Sequence, residues 1–347
     1  MKKITLSQIA ENLDISVATV SRIINKKIPV TSDLHKEIIR QAEEGGYLTP
    51  TISREIGNIG LVFVGLLNKT ENPVEVSLGY QVTGFYGRIT LGVDKAVTDL
   101  GGNLLIKTLN NTEKVFEEFE DFVKTCKLEG AVISLNGVFE NIYKFNEICP
   151  CVIINHYEGF TPYIDSVCSS NFGGTKKIFD YLLNLGHKRI ALWTANLNSL
   201  HDLNRIHSYY TCIDYYKIDY KQVYYDNSFN VKKSIYDRMD EEFQKYLKDD
   251  NKPTAIMCTN DTFAYVLCDL ARKHKIKVPG DLSITGFDDV ESASLAHPAI
   301  TTLNSNLMLM GKHAIHLLTN RIYDKNREHI QISIEPELII RESTGKA

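Results

Sequence analysis

The sequence predicts an α/β protein: a small three-helix head followed by a two-lobed, doubly wound body. Three observations predict it. Residues 4–48 hold three short helical patterns and no strand signal. From Ile59 onward, short apolar runs alternate with helical stretches, which implies parallel sheets covered by helices. The body, residues 59 to 347, is long for one such sheet, so two similar lobes fit better.

The first helix is expected at Leu6–Leu13, with Thr5 as N-cap and Leu6, Ile9, Ala10 and Leu13 on one face. The second, Val17–Asn25, is capped by Ser16 and carries Val17, Val20, Ile23 and Ile24 as its apolar residues. The third, Asp33–Glu44, turns Leu34, Ile38, Ile39 and Ala42 inward, and Gly45-Gly46 ends it. This head (1–48) is joined by a linker (49–58) containing Pro50 and Gly57. Strands are expected at Ile59–Leu66, Asn103–Leu109, Ala131–Leu135, Val152–Asn155, Ile190–Thr194, Thr254–Thr259 and Leu282–Phe287. Helices are expected at Gly87–Leu100, Glu113–Cys126, Phe172–Leu185, Val231–Leu247, Asp261–Lys275 and Asn306–Ile322. The last helix lets the chain cross back, giving an N-lobe of 59–160 and 304–330 and a C-lobe of 161–303 and 331–341.

Composition narrows the class. The 347 residues are 43% hydrophobic and 24% charged, which excludes a mainly disordered chain, a collagen and a coiled-coil rod. No apolar run approaches the length of a membrane span, and no apolar region follows Met1-Lys2-Lys3. No membrane contact is expected, and the cytoplasm is the expected location. Seven cysteines with no C-x-x-C, and only Cys149-Pro150-Cys151 close together, read as reduced thiols. Net charge is −4, but residues 1–42 carry +3 and the remainder −7. A basic head on an acidic body suggests that the head alone meets an anion.

Two short helices separated by Asp14-Ile15-Ser16 form a helix-turn-helix arrangement. The second helix buries Val20, Ile23 and Ile24 and shows Ala18, Thr19, Ser21, Arg22 and Asn25 on the opposite face. Ser, Thr and Asn can donate to phosphates, Arg22 can reach a guanine edge with two bonds, and Val17 and Ala18 can touch thymine methyls. The plainer reading is a capped surface helix with Arg22 in a solvent salt bridge.

Enzyme signatures are missing: there is no phosphate loop, G-x-G-x-x-G, G-x-S-x-G or H-E-x-x-H. His201-Asp202 and His207 are too loosely patterned to carry catalysis. No catalytic residue, cofactor or metal is expected. Instead, polar residues fall at predicted strand ends: Asn171, Arg205, Asn260-Asp261 and Asp288-Asp289. Ligands of open parallel sheets bind there. Amide and carboxylate oxygens accept from vicinal hydroxyls, while guanidinium and amide nitrogens donate. Asn260-Asp261 and Asp288 can equally be helix caps, and Arg205 a surface residue. Trp193, the only tryptophan, is either a stacking platform or core.

The run Thr5, Leu6, Ile9, Ala10, Ile15, Ser16, Thr19, Val20, Ser21, Arg22, Asn25 closely resembles the head of the lactose/galactose repressor family of bacterial transcription regulators. The resemblance extends through Gly186–Ala191, Pro253–Asp261 and Val278–Asp289, over essentially the whole chain. It implies a DNA-binding head, with Val17, Ala18 and Arg22 at base-reading positions and Thr5, Ser16, Thr19, Ser21 and Asn25 beside them. It implies a body like that of the periplasmic sugar-binding proteins, with an effector cleft between two lobes. Arg205, Asn260 and Asp288 then fall at effector contacts, with Asn171, Phe85, Tyr86, Ser305 and Trp193 as further candidates. Two departures stand out. Gly84 replaces a usual proline, and the linker is shortened, with Ser53 for alanine and Ile56 where a leucine wedge enters the minor groove.

The expectation is a homodimeric repressor, released from a pseudo-palindromic operator on double-stranded DNA by a small sugar, with a galactoside as first guess. A sugar-responsive activator, a corepressor-dependent regulator, a receptor without DNA function and a sugar hydrolase are the alternatives.

Overall fold

The computed structural model describes residues 4–24, 33–44, 56–65, 82–110, 112–136, 139, 141–155, 163–194, 200–225 and 233–347. The chain divides into two compact units, residues 1–54 and 55–347.

The head contains helices α1 (Leu6–Asn12), α2 (Val17–Ile24) and α3 (Asp33–Glu44). Thr5 caps α1 through a capping box with Gln8. Ser16 begins α2, its hydroxyl accepting from the Thr19 amide at 3.1 Å. Ile9, Ala10, Val20, Ile23, Ile38 and Ala42 pack as one small core. Leu34, expected inward, is 42% exposed, because it starts α3 ahead of the turn that meets the core.

The N-lobe is one parallel six-stranded sheet. Its strands are β1 (Asn58–Val64), β2 (Asn103–Leu109), β3 (Leu128–Leu135), β4 (Cys151–Ile154), β5 (Asp165–Ser169) and β11 (Gln331–Ile334), in the order β11-β5-β4-β3-β1-β2. Almost every side chain of β1, β3, β4 and β5 is buried, as a sheet covered on both faces requires. Helices α4 (Gly87–Asp99), α5 (Val115–Cys126) and α6 (Tyr143–Ile148) join the strands. A π-helical turn, Val82–Tyr86, leads into α4.

The C-lobe is a four-stranded parallel sheet, β7-β6-β8-β9, of β6 (Ile190–Thr194), β7 (Val223–Tyr225), β8 (Ala255–Cys258) and β9 (Ser283–Thr285). Its helices are α7 (Asn171–Asn184), α8 (Leu200–Tyr216), α9 (Ile235–Lys248), α10 (Asp261–Lys273) and α11 (Glu291–Leu295). Strand β10 (Thr302–Asn304) then pairs antiparallel with β12 (Glu337–Ile339). Between these two strands, α12 (Leu307–Tyr323) returns to cover the N-lobe sheet. There α12 lies against α4 at a double glycine contact. A Cβ on Gly92 would sit 2.3 Å from the Met308 carbonyl oxygen, and one on Gly311 would sit 2.7 Å from the Val93 nitrogen.

The lobe division differs from the sequence expectation. Residues 165–169 and 331–334 extend the N-lobe sheet, because β5 pairs with β4 and β11 with β5. The chain therefore passes between lobes three times: after β5, after β10 and after β11.

Candidate ligand site and DNA-facing helix

The ligand candidates gather where α7, α8, β8, β9 and the 286–290 loop meet. Arg205, expected beyond the loop that follows β6, lies on α8, one turn in from its start. Only 7% exposed, it donates from Nε to Asn171 Oδ1 at 3.1 Å and from Nη2 to Asp288 Oδ1 at 3.0 Å. Nη1 bonds the Thr259 carbonyl at the end of β8. The guanidinium lies on the face of Phe287, 3.6 Å from the ring centroid. Ser305 Oγ donates to Asp288 Oδ1 at 3.1 Å. Asn171, Arg205, Asp288 and Ser305 thus form one buried network drawn from four segments.

The N-lobe faces this network. Phe85 and Tyr86 precede α4, with their rings edge to face at 5.1 Å, and Tyr86 also meets Phe63 at 5.3 Å. Burial first, and the charge of Asp288 second, push the Tyr86 hydroxyl up to about 12, so it stays protonated as a donor. Arg88 on α4 donates to the Asp289 carbonyl at 2.7 Å, tying the lobes together. Asp289 in turn accepts from Arg341 at 2.6 Å and Asn304 at 3.2 Å.

Asn260 and Trp193 are placed differently. Asn260 caps α10, its Oδ1 accepting from the Phe263 amide at 2.9 Å, which is the capping alternative. Trp193 is fully buried, stacked on Tyr224 at 5.2 Å and near Phe243. It lies on the face of β6 turned to α9 and α10, so its ring belongs to the C-lobe core rather than to a ligand platform. Sequence reading missed Phe287 and Arg88. Phe287 shows only as the end of an apolar strand, and Arg88 acts through a tertiary contact.

In the head, Val17, Ala18 and Arg22 are exposed on one face of α2, while Val20 and Ile23 are buried behind them. Ser16 and Thr19 share a hydroxyl contact of 2.8 Å, and the Thr5 hydroxyl is engaged with Gln8. Ser21 is half-buried. Asn25 and residues 49–55 of the linker lie outside the described residues. Ile56, expected as a minor-groove wedge, is not exposed in this structure. It is 4% exposed and packs in the N-lobe core, with its amide donating to the Leu100 carbonyl at 3.2 Å. An isoleucine one residue ahead of Gly57 and β1 gains more from that apolar slot than from solvent.

All seven cysteines are free thiols, with Cys149 and Cys151 Sγ 3.8 Å apart. Among the described residues, no group of three or more His, Cys, Asp or Glu is placed to hold a metal ion. No described helix is long and apolar enough to cross a membrane.

Comparison with known proteins matches residues 179–344 to the periplasmic binding protein-like domain. The chain is 25% identical to the HTH-type transcriptional repressor PurR of Histophilus somni over 98% of both chains. It is 26% identical to the transcriptional regulator DegA of Bacillus subtilis, over 99% of this chain and 98% of the other. These matches support a regulator of the lactose/galactose repressor family. The ribose operon repressor of Haemophilus influenzae is a further relative, 24% identical over 98% of both chains. Two solved structures share the fold. The regulator CelR with cellobiose superposes with a TM-score of 0.67 at 22% identity, covering 98% of this chain and 100% of the other. A lac repressor dimer bound to operator and an anti-inducer gives 0.67 at 18% identity, covering 99% and 100%.

Proposed function

We propose that this protein is a ligand-responsive transcriptional repressor, working as a homodimer on double-stranded operator DNA. The exposed Val17-Ala18-Arg22 face of α2, backed by a buried apolar face, carries this reading. That face is the one a recognition helix turns to the major groove, with Arg22 as the base-reading cation. Relatives named as transcriptional repressors, aligned over nearly their full length, support it.

The effector is a neutral, hydroxyl-rich molecule bound beside Arg205 and Asp288. Charge balance in the network supports this: the guanidinium of Arg205 is already matched by Asp288, so an ionic ligand would leave one charge uncompensated. Tyr86, Asn171 and Ser305 are neutral hydrogen-bonding groups suited to hydroxyls. The ribose and cellobiose named among the relatives are such molecules, and a galactoside gains no support from them. Binding there biases the relation of the two lobes and so the affinity for operator, with a coupling of about 1–3 kcal/mol, or roughly 5–150-fold.

The test is fluorescence anisotropy of a labelled inverted repeat from upstream of the protein's own gene, titrated with and without a panel of neutral sugars. Tight, salt-sensitive binding that Arg22→Ala weakens by about 1–3 kcal/mol, and that one sugar releases, is expected. Binding by the parent no tighter than by Arg22→Ala overturns the head assignment. Release by an anionic metabolite instead of a neutral sugar overturns the effector class.

A further inference from the structure

The loop that carries Asp288 is held in an uncommon shape. Asp288 and Asp289 are consecutive non-glycine residues with φ of 105° and 53°. The cations nearby are taken: Arg205 by Asp288, Arg341 by Asp289, while Arg88 goes to the Asp289 carbonyl. Behind the loop lies a third carboxyl group, Asp261, 1% exposed at the first turn of α10. Its partners are neutral. Thr302 Oγ1 of β10 lies 2.5 Å from Oδ1, and the Val290 amide donates to Oδ2 at 2.8 Å. The Asp261 amide donates to the Phe287 carbonyl at 3.0 Å. The fit is tight: a Cβ on Gly286 would come 2.1 Å from Asp261 Oδ1. The loop thus closes tightly around this buried carboxyl group.

We propose that Asp261 is held as a neutral acid and is the positioning residue for the 286–290 loop, its two oxygens tying that loop to the crossing strand β10 without placing a second charge beside Asp288. A protonated Oδ1 can donate along the short contact to Thr302 in place of the threonine hydroxyl, while Oδ2 still accepts from Val290. The facing groups favour this state. Burial comes first, then the charge of Asp288, and these raise Asp261 well above the usual carboxylate range against the pull of Thr302 and Val290. Asp289 adds to the effect, and burial first raises the neighbouring Cys258 thiol at the end of β8, so it brings no charge of its own. The consequence for ligand reading rests on the proposal that Asp288 contacts the effector. The test below uses no ligand, so the two can fail separately.

The sign follows from linkage. An acid raised in the folded state binds its proton there more tightly than in the unfolded chain. It therefore stabilises fully below the unfolded pKa, and that contribution is lost as pH rises toward the folded value. Asp261→Asn mimics the neutral acid, with one amide donor and one carbonyl acceptor in the same places, and carries no such loss. Melting temperatures of the full chain and of Asp261→Asn should be compared from about pH 5 to about pH 8. The difference, variant minus parent, is expected to rise with pH. A flat difference over this range means that Asp261 is already ionised in the folded protein, and a flat or falling difference overturns the proposal. Hydrogen exchange over residues 286–291 reads the positioning itself. Protection is expected to persist in Asp261→Asn and to drop in Asp261→Ala, and equal protection in all three proteins refutes the tether.

Discussion

Replacing Asp288 by alanine is the obvious way to silence the ligand site, and the structure predicts that it perturbs the fold as well. Arg205 and Asp288 side chains are 8% and 9% exposed and 3.0 Å apart. Removing one member of a buried ion pair leaves an uncompensated charge, at a cost of about 3–5 kcal/mol. Asp288→Ala leaves Arg205 with two neutral acceptors, Asn171 Oδ1 and the Thr259 carbonyl, so about 3 kcal/mol is expected. Arg205→Ala leaves Asp288 with the Ser305 hydroxyl and strips Asn171 and Thr259 of a donor, which places it nearer 5 kcal/mol. The double variant buries no unpaired charge. Its cost should match the larger single change rather than the sum, a coupling of about 3 kcal/mol. Urea unfolding followed by the emission of Trp193 reads this directly, because the only tryptophan sits in the core of the same lobe. Single changes that add to within about 0.5 kcal/mol would refute the argument that the two charges are energetically joined. Ligand titrations of Asp288→Ala should then be made only where denaturation shows it folded.

Three further expectations follow from the packing. Asp165, itself at zero exposure, accepts from Arg321 Nε at 3.0 Å and Nη2 at 3.2 Å, from Arg327 at 2.6 Å and from the Ile330 amide at 2.7 Å. Asp165→Ala should cost the N-lobe about 3–5 kcal/mol in denaturant midpoints, and a loss below about 1 kcal/mol counts against this reading. Ile56→Ala should lower body stability by about 2–4 kcal/mol by calorimetry, whereas a groove wedge would lower operator affinity with stability unchanged. His187 bonds Thr254 at 2.9 Å and the Gly345 carbonyl at 3.0 Å, and burial lowers its pKa despite the Gly345 bond. A base lowered in the folded state loses its contribution as pH falls below its unfolded value, so exchange protection of residues 341–347 should weaken from about pH 7 to about pH 5. That pH dependence should vanish in His187→Gln.

Much of this protein is local physics and is written in the sequence. The strands Asn103–Leu109 and Ile190–Thr194 and the helix Asp33–Glu44 fall on the residues their patterns predict, because apolar period and caps are properties of neighbouring residues. The exposed face of α2 follows in the same way from the spacing of Val20 and Ile23. The short strands β7, β10, β11 and β12 and the helices α8 and α11 escaped that reading, since three to five residues carry no period and α8 mixes polar and buried positions along its length.

Tertiary structure decided the rest. Trp193 and Arg205 were both open to two readings, and the face of the sheet and the turn of the helix chose between them. Ile56 left the linker for the core because a slot beside Leu100 was there to receive it. Asp165–Ser169 joined the N-lobe because β4 offered a free edge. Asp261 shows only as the partner of Asn260 in sequence, and becomes a buried acid facing Asp288 once the 286–290 loop folds over it. Sequence determines which segments are helices and strands through forces between neighbours. Which charges must share one dry space is set by contacts between residues far apart in the chain, and only the folded body brings those together.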